Sequence, residues 1–447
     1  MSNGDHSSIA VCDLCLNNEI HETVNLGFLY GLSLISPKQD ILFYADEGHQ
    51  EIIKTNTKTQ GLNLEQIRYI HIPSNLNASY WGYILSYIRI KRILDHLIQL
   101  EVKKLLILSS VDFQRLILKK LLKRKCYQGI TCCFVMHGDL DCLISPKHKS
   151  QEVQEVAGTY FWVEFYFNFK NYLKIRIKYA LKKCQNYLTP KINFKAHLLA
   201  NHSSQIRYIV LAPHILTQLS NYIDTDYLAF HYVPHPAVFR KPHSLPQYTP
   251  SKKLKCAIFG YGNPPTLFDL NRRLAQLWQT PADQKEDLRL HDLAHHLEIR
   301  MISSNHQGTE AFSWVSTPIK GRTLNRSEME ELIQDIDLLL ILYESHRYQL
   351  SCSGSIIEAL SYQKPVFFLD NPCIRSFNTT DQPIGQNFGT IQELALGLLN
   401  YIHNPEKRTI ELEKFRQNIM YYRPQVDIKL NLSKLRLALD LKDHSSV

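Results

Sequence analysis

The chain has 447 residues, of which 44% are hydrophobic, so it is too long for one ordinary domain and apolar enough to build two cores. No apolar run approaches the ~18 residues needed to span a bilayer, and the polar N-terminus MSNGDHSS lacks the pattern of a signal peptide. Composition therefore argues against a membrane-spanning or secreted protein, and we expect a cytoplasmic one. The 10 cysteines are scattered, and the Cys12-x2-Cys15 pair lacks further ligands with zinc-site spacing, so we predict buried free thiols.

Positive charge is concentrated in the first half of the chain. Residues 1–200 contain 25 Lys and Arg against 17 Asp and Glu, whereas the net charge of the whole chain is +9. In that half, short apolar runs alternate with longer helical patterns; the predicted strands are IAVCDLCL, DILFYA, IRYIHI, KLLILSS, ITCCFVMH, RYIVLAP and LAFHYVPHP. Such βα repetition is typical of a parallel sheet covered by helices on both faces.

A Pro-, Ser- and Lys-rich stretch near residues 240–252 marks the predicted domain boundary. A second βα series follows, with strands expected in LKCAIFGYG, LEIRMISS, DLLLILY and PVFFLD. We therefore predict an α/β protein with a first domain over 1–245 and a second over 252–415. Residues 416–447 should form C-terminal helices interrupted at Arg423-Pro424, and these helices could cross back to the first domain.

The stretch from Tyr343 to Asp370 is the most informative part of the sequence. After a buried strand it has a Ser353-Gly354-Ser355 turn, a short helix and a new strand. Backbone N–H groups, hydroxyls and the positive end of a helix dipole then meet at one place, which suits a phosphate or diphosphate. Glu358, one helical turn further on, is placed to accept hydrogen bonds from sugar hydroxyls. The alternative is that Ser353 only caps the helix and that Glu358 is a solvated acid.

This turn, the Glu-Ala pair and the following Lys-Pro-Val strand resemble the donor motif of retaining GT-B glycosyltransferases of the group-1, family-4 kind. The resemblance implies two doubly wound, Rossmann-like domains facing an interdomain cleft. It also implies that Glu358 binds the ribose of the donor nucleotide and that Ser353, Gly354 and Ser355 bind the diphosphate. Many such enzymes carry another Glu eight positions earlier, where this chain has Leu350.

The same resemblance places a diphosphate-facing glycine turn after the first strand of the second domain. Gly260 and Gly262 lie there, and glycine permits close approach of the backbone to an anion. A strand-ending pair of glycines is also common as a plain turn. The family's basic residue after this turn has no clear counterpart, and Arg322 or Lys320 is expected to neutralise the diphosphate instead.

In the first domain, two loops after strands are candidates for the catalytic and acceptor side. His21, Asn25 and Gly27 follow the first strand, where the family has a cleft-lining loop. His137 and Asp139 follow the strand ITCCFVM and resemble the strand-end histidine beside the reacting sugar. Carboxyl ends of parallel strands collect ligands, so His137 and His21 are predicted catalytic residues. A structural role for either histidine stays open.

Three Asp-x-Asp triplets, at 139–141, 224–226 and 335–337, raise the alternative of a metal site. Such triplets often arise by chance, and the helix N-terminus and basic residues are already expected to neutralise the negative charge of the donor diphosphate. We expect no metal and no cofactor, only a nucleoside-diphosphate sugar as co-substrate.

The segment from Phe165 to Ala200 contains eight Lys and Arg, no acidic residue and many aromatics. One interpretation is peripheral contact with the inner face of an anionic membrane, which would bring the enzyme to a lipid-linked acceptor. The other is a solvated helix face packed on the sheet through its aromatics. No pattern typical of a nucleic-acid-binding module accompanies it, and no nucleic-acid partner is expected.

Together these features predict a metal-independent hexosyltransferase. It would move a hexose-type sugar from a nucleotide sugar to a glycan or lipid-linked acceptor hydroxyl, with retention, in the synthesis of a cell-surface polysaccharide, glycolipid or other glycan. Two alternatives remain: a catalytically silent relative that acts as the partner of an active enzyme, and a sugar-nucleotide epimerase.

Overall fold

The computed structural model describes residues 8–15, 21–74, 80–144, 194–200, 202–239, 252–260, 263–278, 292–302, 311–318, 324 and 326–441. The chain divides into two compact units. Unit 1 is formed by residues up to Val238 together with those from Asn431 onward, and unit 2 by Phe239–Leu430. Gly262, Lys320, Arg322 and the basic segment up to residue 193 lie outside the described residues.

Unit 1 is built on a seven-stranded parallel sheet with the order β3-β2-β1-β4-β5-β6-β7. Its strands β1 to β7 are Ile9–Asp13, Ile41–Ala45, Ile67–His71, Lys104–Ser109, Thr131–Met136, Ile206–Val210 and Phe230–Tyr232. The central strands are buried, except for the half-buried Lys104 at the start of β4, because helices cover both faces. The order reverses between β1 and β4, whose residues Val11 and Leu106 are paired.

The helices of the first part of unit 1 alternate with its strands, as the sequence predicted. They are α1 to α6: Glu22–Ile35, Glu47–Thr59, Tyr80–Gln99, Asp112–Leu122, Phe194–Leu199 and Pro213–Leu219. Short 3-10 turns, η1 and η2, cover Lys125–Tyr127 and Asp139–Leu143.

Unit 2 has a six-stranded parallel sheet with the order β10-β9-β8-β11-β12-β13. Its strands β8 to β13 are Leu254–Phe259, Leu297–Ile302, Val315–Ser316, Leu338–Ile341, Val366–Leu369 and Gly385–Phe388. Its helices α7 to α12 are Pro264–Leu277, Arg326–Ile333, Gly354–Tyr362, Pro372–Arg375, Ile391–His403 and Pro405–Val426. Here the order reverses between β8 and β11.

Two edge strands of unit 2 were not predicted. β10 has only two residues, and β13 reads Gly-Gln-Asn-Phe, which has no β-branched residue. β13 is a strand because Gly385 pairs in register with Val366 of β12. Tertiary pairing, which no local pattern encodes, therefore creates this edge.

The prediction of a helix break at Arg423-Pro424 is wrong. Helix α12 runs continuously from Pro405 to Val426 with Pro424 inside it. The proline lies in the last turn, so it removes one terminal hydrogen bond without having to kink a longer helix. The 3-10 turn Ile428–Leu430, η3, then leads to the last helix, α13 (Leu432–Leu439).

Helix α13 packs within unit 1, against α1, β5, β6 and β7. Leu435, Ala438 and Leu439 bury its apolar side. At its end, Asp440 forms ion pairs with Lys104 and Arg207, at 3.1 and 3.4 Å. In the described part of the chain, no helix is both long and apolar enough to cross a membrane.

Candidate functional site

The carboxyl ends of β8 and β11 are where the strand order of unit 2 reverses, the position at which open α/β sheets bind ligands. Gly260 follows β8 directly, and Tyr343 follows β11 by one residue. Helix α9 begins nearby at Gly354. A small crevice at this end is lined by residues of both strands together with Leu342, Tyr343 and Ser355.

Three hydroxyl groups are connected at the start of α9. Ser353 Oγ donates to Tyr343 Oη at 3.2 Å, and Tyr343 Oη lies 2.7 Å from Ser355 Oγ, where either hydroxyl can donate. The backbone N–H of Ser353 donates to Cys373 Sγ at 3.3 Å. Burial raises the pKa of Tyr343, which keeps its phenol protonated. Ser353 occupies the N-cap position, but its hydroxyl is used by Tyr343 and not by the helix backbone.

The two turns that the sequence singled out in unit 2 meet here. Gly260 adopts φ +65°, and a Cβ atom at this position would lie 3.1 Å from Ser355 Oγ. Asn263, also left-handed with φ 41°, is the N-cap residue of α7 and donates from Nδ2 to the Leu342 carbonyl at 2.8 Å. Glycine 260 thus brings the loop after β8 against the serine turn, 95 residues later in the chain.

The acidic residues near this turn differ in their surroundings. Glu358 is half-buried on α9, one turn after Ser355. Leu350 is fully buried, so the position where the resembling enzymes often carry an acid is part of the core. Glu344 lies in an exposed loop, 3.2 Å from His346 Nε2.

In unit 1, a polar cluster lies at the equivalent reversal between β1 and β4. Asp13, only 1% exposed at the end of β1, accepts hydrogen bonds from Asn25 Nδ2 at 2.8 Å, from the Cys15 N–H at 3.1 Å and from the Ser109 hydroxyl. Asn25 Nδ2 also lies 2.8 Å from His49 Nε2. Because these groups are buried together, they hold the loop after β1 to the end of β4.

The two predicted catalytic histidines are in contact. The rings of His21 and His137 lie 4.2 Å apart, edge to face. His137 Nε2 donates to the Leu108 carbonyl at 2.8 Å, which leaves Nδ1 as the acceptor of a neutral ring. Loss of water around the rings lowers the pKa of His137 to about 4 and that of His21 to about 3. Both are therefore neutral near pH 7.

The other predicted site residues of unit 1, Asn25, Gly27 and Asp139, make structural contacts. Asn25 is 0% exposed, so its amide positions Asp13 and does not face solvent. At Gly27 an added Cβ would lie 2.4 Å from the Pro236 carbonyl oxygen, so close packing requires glycine there. Asp139 forms an ion pair with Arg115 at 2.8 Å. The acceptor-side roles of these three residues remain predictions.

Sequence reasoning missed Asp13, His49, Tyr343 and His235. Asp13 closes an apolar strand and could have been noticed as a strand-end acid next to the reversal point. His235 lies between two prolines and is 7% exposed. Burial, and to a smaller extent the nearby His21 ring, lowers the pKa of His235 to about 3. Tyr343 gave no signal, because tyrosine after a buried strand is ordinary core composition.

The carboxylates and thiols considered as metal ligands have other uses. Among the described residues, no group of three or more His, Cys, Asp and Glu side chains could hold a metal ion. Asp335 binds Lys255 and Arg300, and Asp224 accepts backbone N–H groups of its own turn. Cys12 and Cys15 are buried and form no disulfide.

No protein-family model matches the sequence, and no curated protein matches it. Solved structures do match over almost the whole chain. A glycosyltransferase from Rickettsia africae is 11% identical with a TM-score of 0.54, covering 98% of this chain and 100% of that one. HepE from Anabaena, in complex with UDP-glucose, is 11% identical with a TM-score of 0.53, covering 96% and 98%. UGT89C1 from Arabidopsis thaliana is 10% identical with a TM-score of 0.52, covering 97% and 99%.

At such low identities the likeness concerns the fold. Two parallel, Rossmann-like α/β units in sequence, matched over nearly the whole length of these glycosyltransferases, confirm the fold expected from the sequence. The chain has the GT-B glycosyltransferase fold.

Proposed function

We propose that the protein is a glycosyltransferase that takes a nucleoside-diphosphate sugar as donor and an acceptor hydroxyl as second substrate. The observation that carries the proposal is the meeting of Gly260 with Ser355 and Tyr343 where the strand order of unit 2 reverses. A donor diphosphate placed there would meet the start of α9, the hydroxyls of the turn and a backbone that glycine leaves open.

In this proposal the leaving diphosphate is stabilised by the start of α9, and Glu358 binds the ribose. Stabilisation of developing negative charge by preorganised donors is commonly a large part of catalysis. The sugar is a hexose moved with retention, as the resemblance to the retaining branch implies. HepE, a structural neighbour, was solved with UDP and with UDP-glucose, which makes UDP the first nucleotide to try.

Unit 1 would supply the acceptor side. The neutral His137 and His21 rings can accept a hydrogen bond from a hydroxyl, which an imidazolium could not do. Asp139, in the turn that follows His137, forms an ion pair with Arg115 of α4, and this contact helps to position the turn.

The test is calorimetry with UDP, GDP, dTDP and CMP on the wild type and on Glu358→Ala. One nucleotide should bind the wild type, and its affinity should be roughly tenfold or more lower for Glu358→Ala. A carboxylate that accepts hydrogen bonds from sugar hydroxyls contributes about 1.5–3 kcal/mol to binding. The control is Glu331→Ala, which removes an exposed acid from α8 of the same unit and should leave affinity unchanged. Equal nucleotide affinity in all three proteins would show that Glu358 does not bind the nucleotide.

One observation favours a second candidate, a catalytically silent relative that acts as partner of an active enzyme. Leu350 is fully buried, so the position that often contacts the donor sugar offers no acid. A folded protein that binds none of the nucleotides, shows no turnover with any sugar nucleotide and co-purifies with another chain would support this candidate.

A further inference from the structure

One short part of unit 1 has a large excess of basic over acidic residues. Residues 80–127 contain eleven Lys and Arg against three Asp and Glu, a net charge of +8, whereas the whole chain carries +9. This part comprises α3, β4, α4 and η1. In the sequence it precedes the basic segment at 165–200.

The outward side of α3 combines exposed aliphatic and cationic side chains. Leu85 and Ile88 are 45% and 40% exposed, and Arg92 is exposed one turn further on. Their spacing of three and four residues puts them on one helix face. The opposite side of α3, with Ile90, Leu94 and Leu97, is buried against unit 1.

Lysines at the end of α4 and in η1 extend this surface. Lys120, Lys123 and Lys125 are all exposed. Arg124 joins the two helices: its guanidinium donates to Tyr87 Oη at 2.8 Å and lies 5.9 Å from the Tyr87 ring. The Tyr83 and Phe113 rings, 6.4 Å apart, join the other ends. The α3–α4 surface, formed by Leu85, Ile88, Arg92, Lys120, Lys123 and Lys125, is therefore held together by direct contacts.

The acids of this region do little to neutralise the surface. Asp95 binds Lys91 Nζ at 2.5 Å and the Tyr127 hydroxyl at 2.5 Å. Asp112 forms an ion pair with the buried Arg115. Among the described residues, Lys120, Lys123 and Lys125 form no ion pair, and all three are exposed.

We propose that the α3–α4 surface binds the surface of an anionic lipid bilayer. Cationic side chains beside exposed aliphatic ones fit a boundary where anionic headgroups meet apolar chains. Leu85 and Ile88 would enter the headgroup region while the lysines contact the lipid phosphates. A nucleic acid would use the same charges but has no use for the aliphatic side chains, and for this reason we favour the bilayer.

The test is co-sedimentation of the full chain with vesicles of phosphatidylcholine alone and of phosphatidylcholine with phosphatidylglycerol. We expect binding only to the anionic vesicles, and its loss in about 1 M salt, where the Debye length is about 3 Å. The variant Lys120→Glu/Lys123→Glu/Lys125→Glu should bind at least roughly a hundredfold more weakly, since each basic residue near such a surface contributes about a factor of five.

A matched control variant has the same change in net charge at residues outside the α3–α4 surface. Lys38, Lys58 and Lys414 are exposed lysines outside the α3–α4 surface, and their joint replacement by Glu should reduce vesicle binding far less. Equal binding by the two triple variants would overturn the proposal, and so would absence of vesicle binding by the wild type.

A second pair of variants tests the aliphatic side chains of the α3–α4 surface. Leu85→Gln/Ile88→Gln should weaken binding to anionic vesicles by about tenfold. Leu396→Gln/Ile410→Gln, at residues that are 48% and 71% exposed in unit 2, should leave it unchanged. If single-stranded DNA binds instead of vesicles, and binding depends on the lysines but not on Leu85 and Ile88, the surface is a nucleic-acid site and the proposal fails. Nucleotide binding by the same variants is read separately, so this result does not depend on the proposed transferase activity.

Discussion

Gly260 is the residue on which the geometry of the unit 2 site most depends. Its left-handed φ of +65° is a conformation that costs other residues about 1–2 kcal/mol, and its space is limited by Ser355 Oγ. The serine turn and the loop after β8 can lie together because this position has no side chain.

We therefore expect Gly260→Ala to lower the free energy of unfolding by about 1–2 kcal/mol, measured by urea denaturation. It should also weaken nucleotide binding, because the added methyl group displaces Ser355. Gly354→Ala is the control: nothing lies within 4 Å of its added Cβ, and its φ is not left-handed. That variant should change stability by no more than about 0.5 kcal/mol, and equal losses in both variants would contradict the argument.

At the same scale, the sequence predicted the turn but not the tyrosine that connects its hydroxyls. Ser353, Gly354 and Ser355 were identifiable because small residues before a helix have a local meaning. Tyr343, which connects Ser353 and Ser355, was not, since its role depends on where β11 places it.

At the scale of elements, the last helix shows how one face can determine stability. In α13, Leu435 is fully buried and Leu437 is 66% exposed, only two residues apart. The helix packs on α1 and on three strands of unit 1, so its buried face belongs to the core of that unit.

Leu435→Ala should therefore destabilise the protein by about 2–5 kcal/mol, the usual range for a buried leucine. Leu437→Ala on the same helix should stay within about 0.5 kcal/mol of the wild type. Denaturant unfolding of both variants gives the comparison. A small effect of Leu435→Ala would mean that α13 contributes little to the core of unit 1.

Most of the strands could be predicted because a parallel sheet buries both of its faces and leaves continuous apolar runs. The edge strand β13 could not, because pairing with β12 makes it a strand despite its polar sequence. Helix α12 passes through Pro424 because the proline lies within its last turn, where a helix tolerates the loss of a hydrogen bond.

At the scale of the whole molecule, buried histidines from separate elements give stability a pH dependence. The pKa values of His21 and His235 are lowered to about 3 and that of His137 to about 4, in each case mainly by loss of solvent. An unfolded histidine has a pKa of about 6.5. Between about pH 4 and 6.5 the unfolded chain therefore binds protons that the folded chain does not bind.

Because the unfolded state binds more protons in that window, the free energy of unfolding should fall as pH is lowered from about 7 to 4. Urea unfolding at a series of pH values measures the slope. His235→Gln should flatten it, whereas His71→Gln, which replaces an exposed histidine on β3, should not. An unchanged slope in His235→Gln would show that this ring is not kept neutral by the fold.

The sequence by itself determined two βα series, a turn of small residues at Ser353–Ser355 before a helix, and an excess of positive charge in the first half. Each is a local pattern, since periodicity, small residues and charge can be read along the chain. Only the tertiary structure brought Gly260 to Ser355 and placed Asp13 against Ser109, 96 residues away. It also placed the exposed side chains of α3 beside the lysines of α4 and η1. Strand order and helix packing decide which distant residues meet, and no local pattern records that choice.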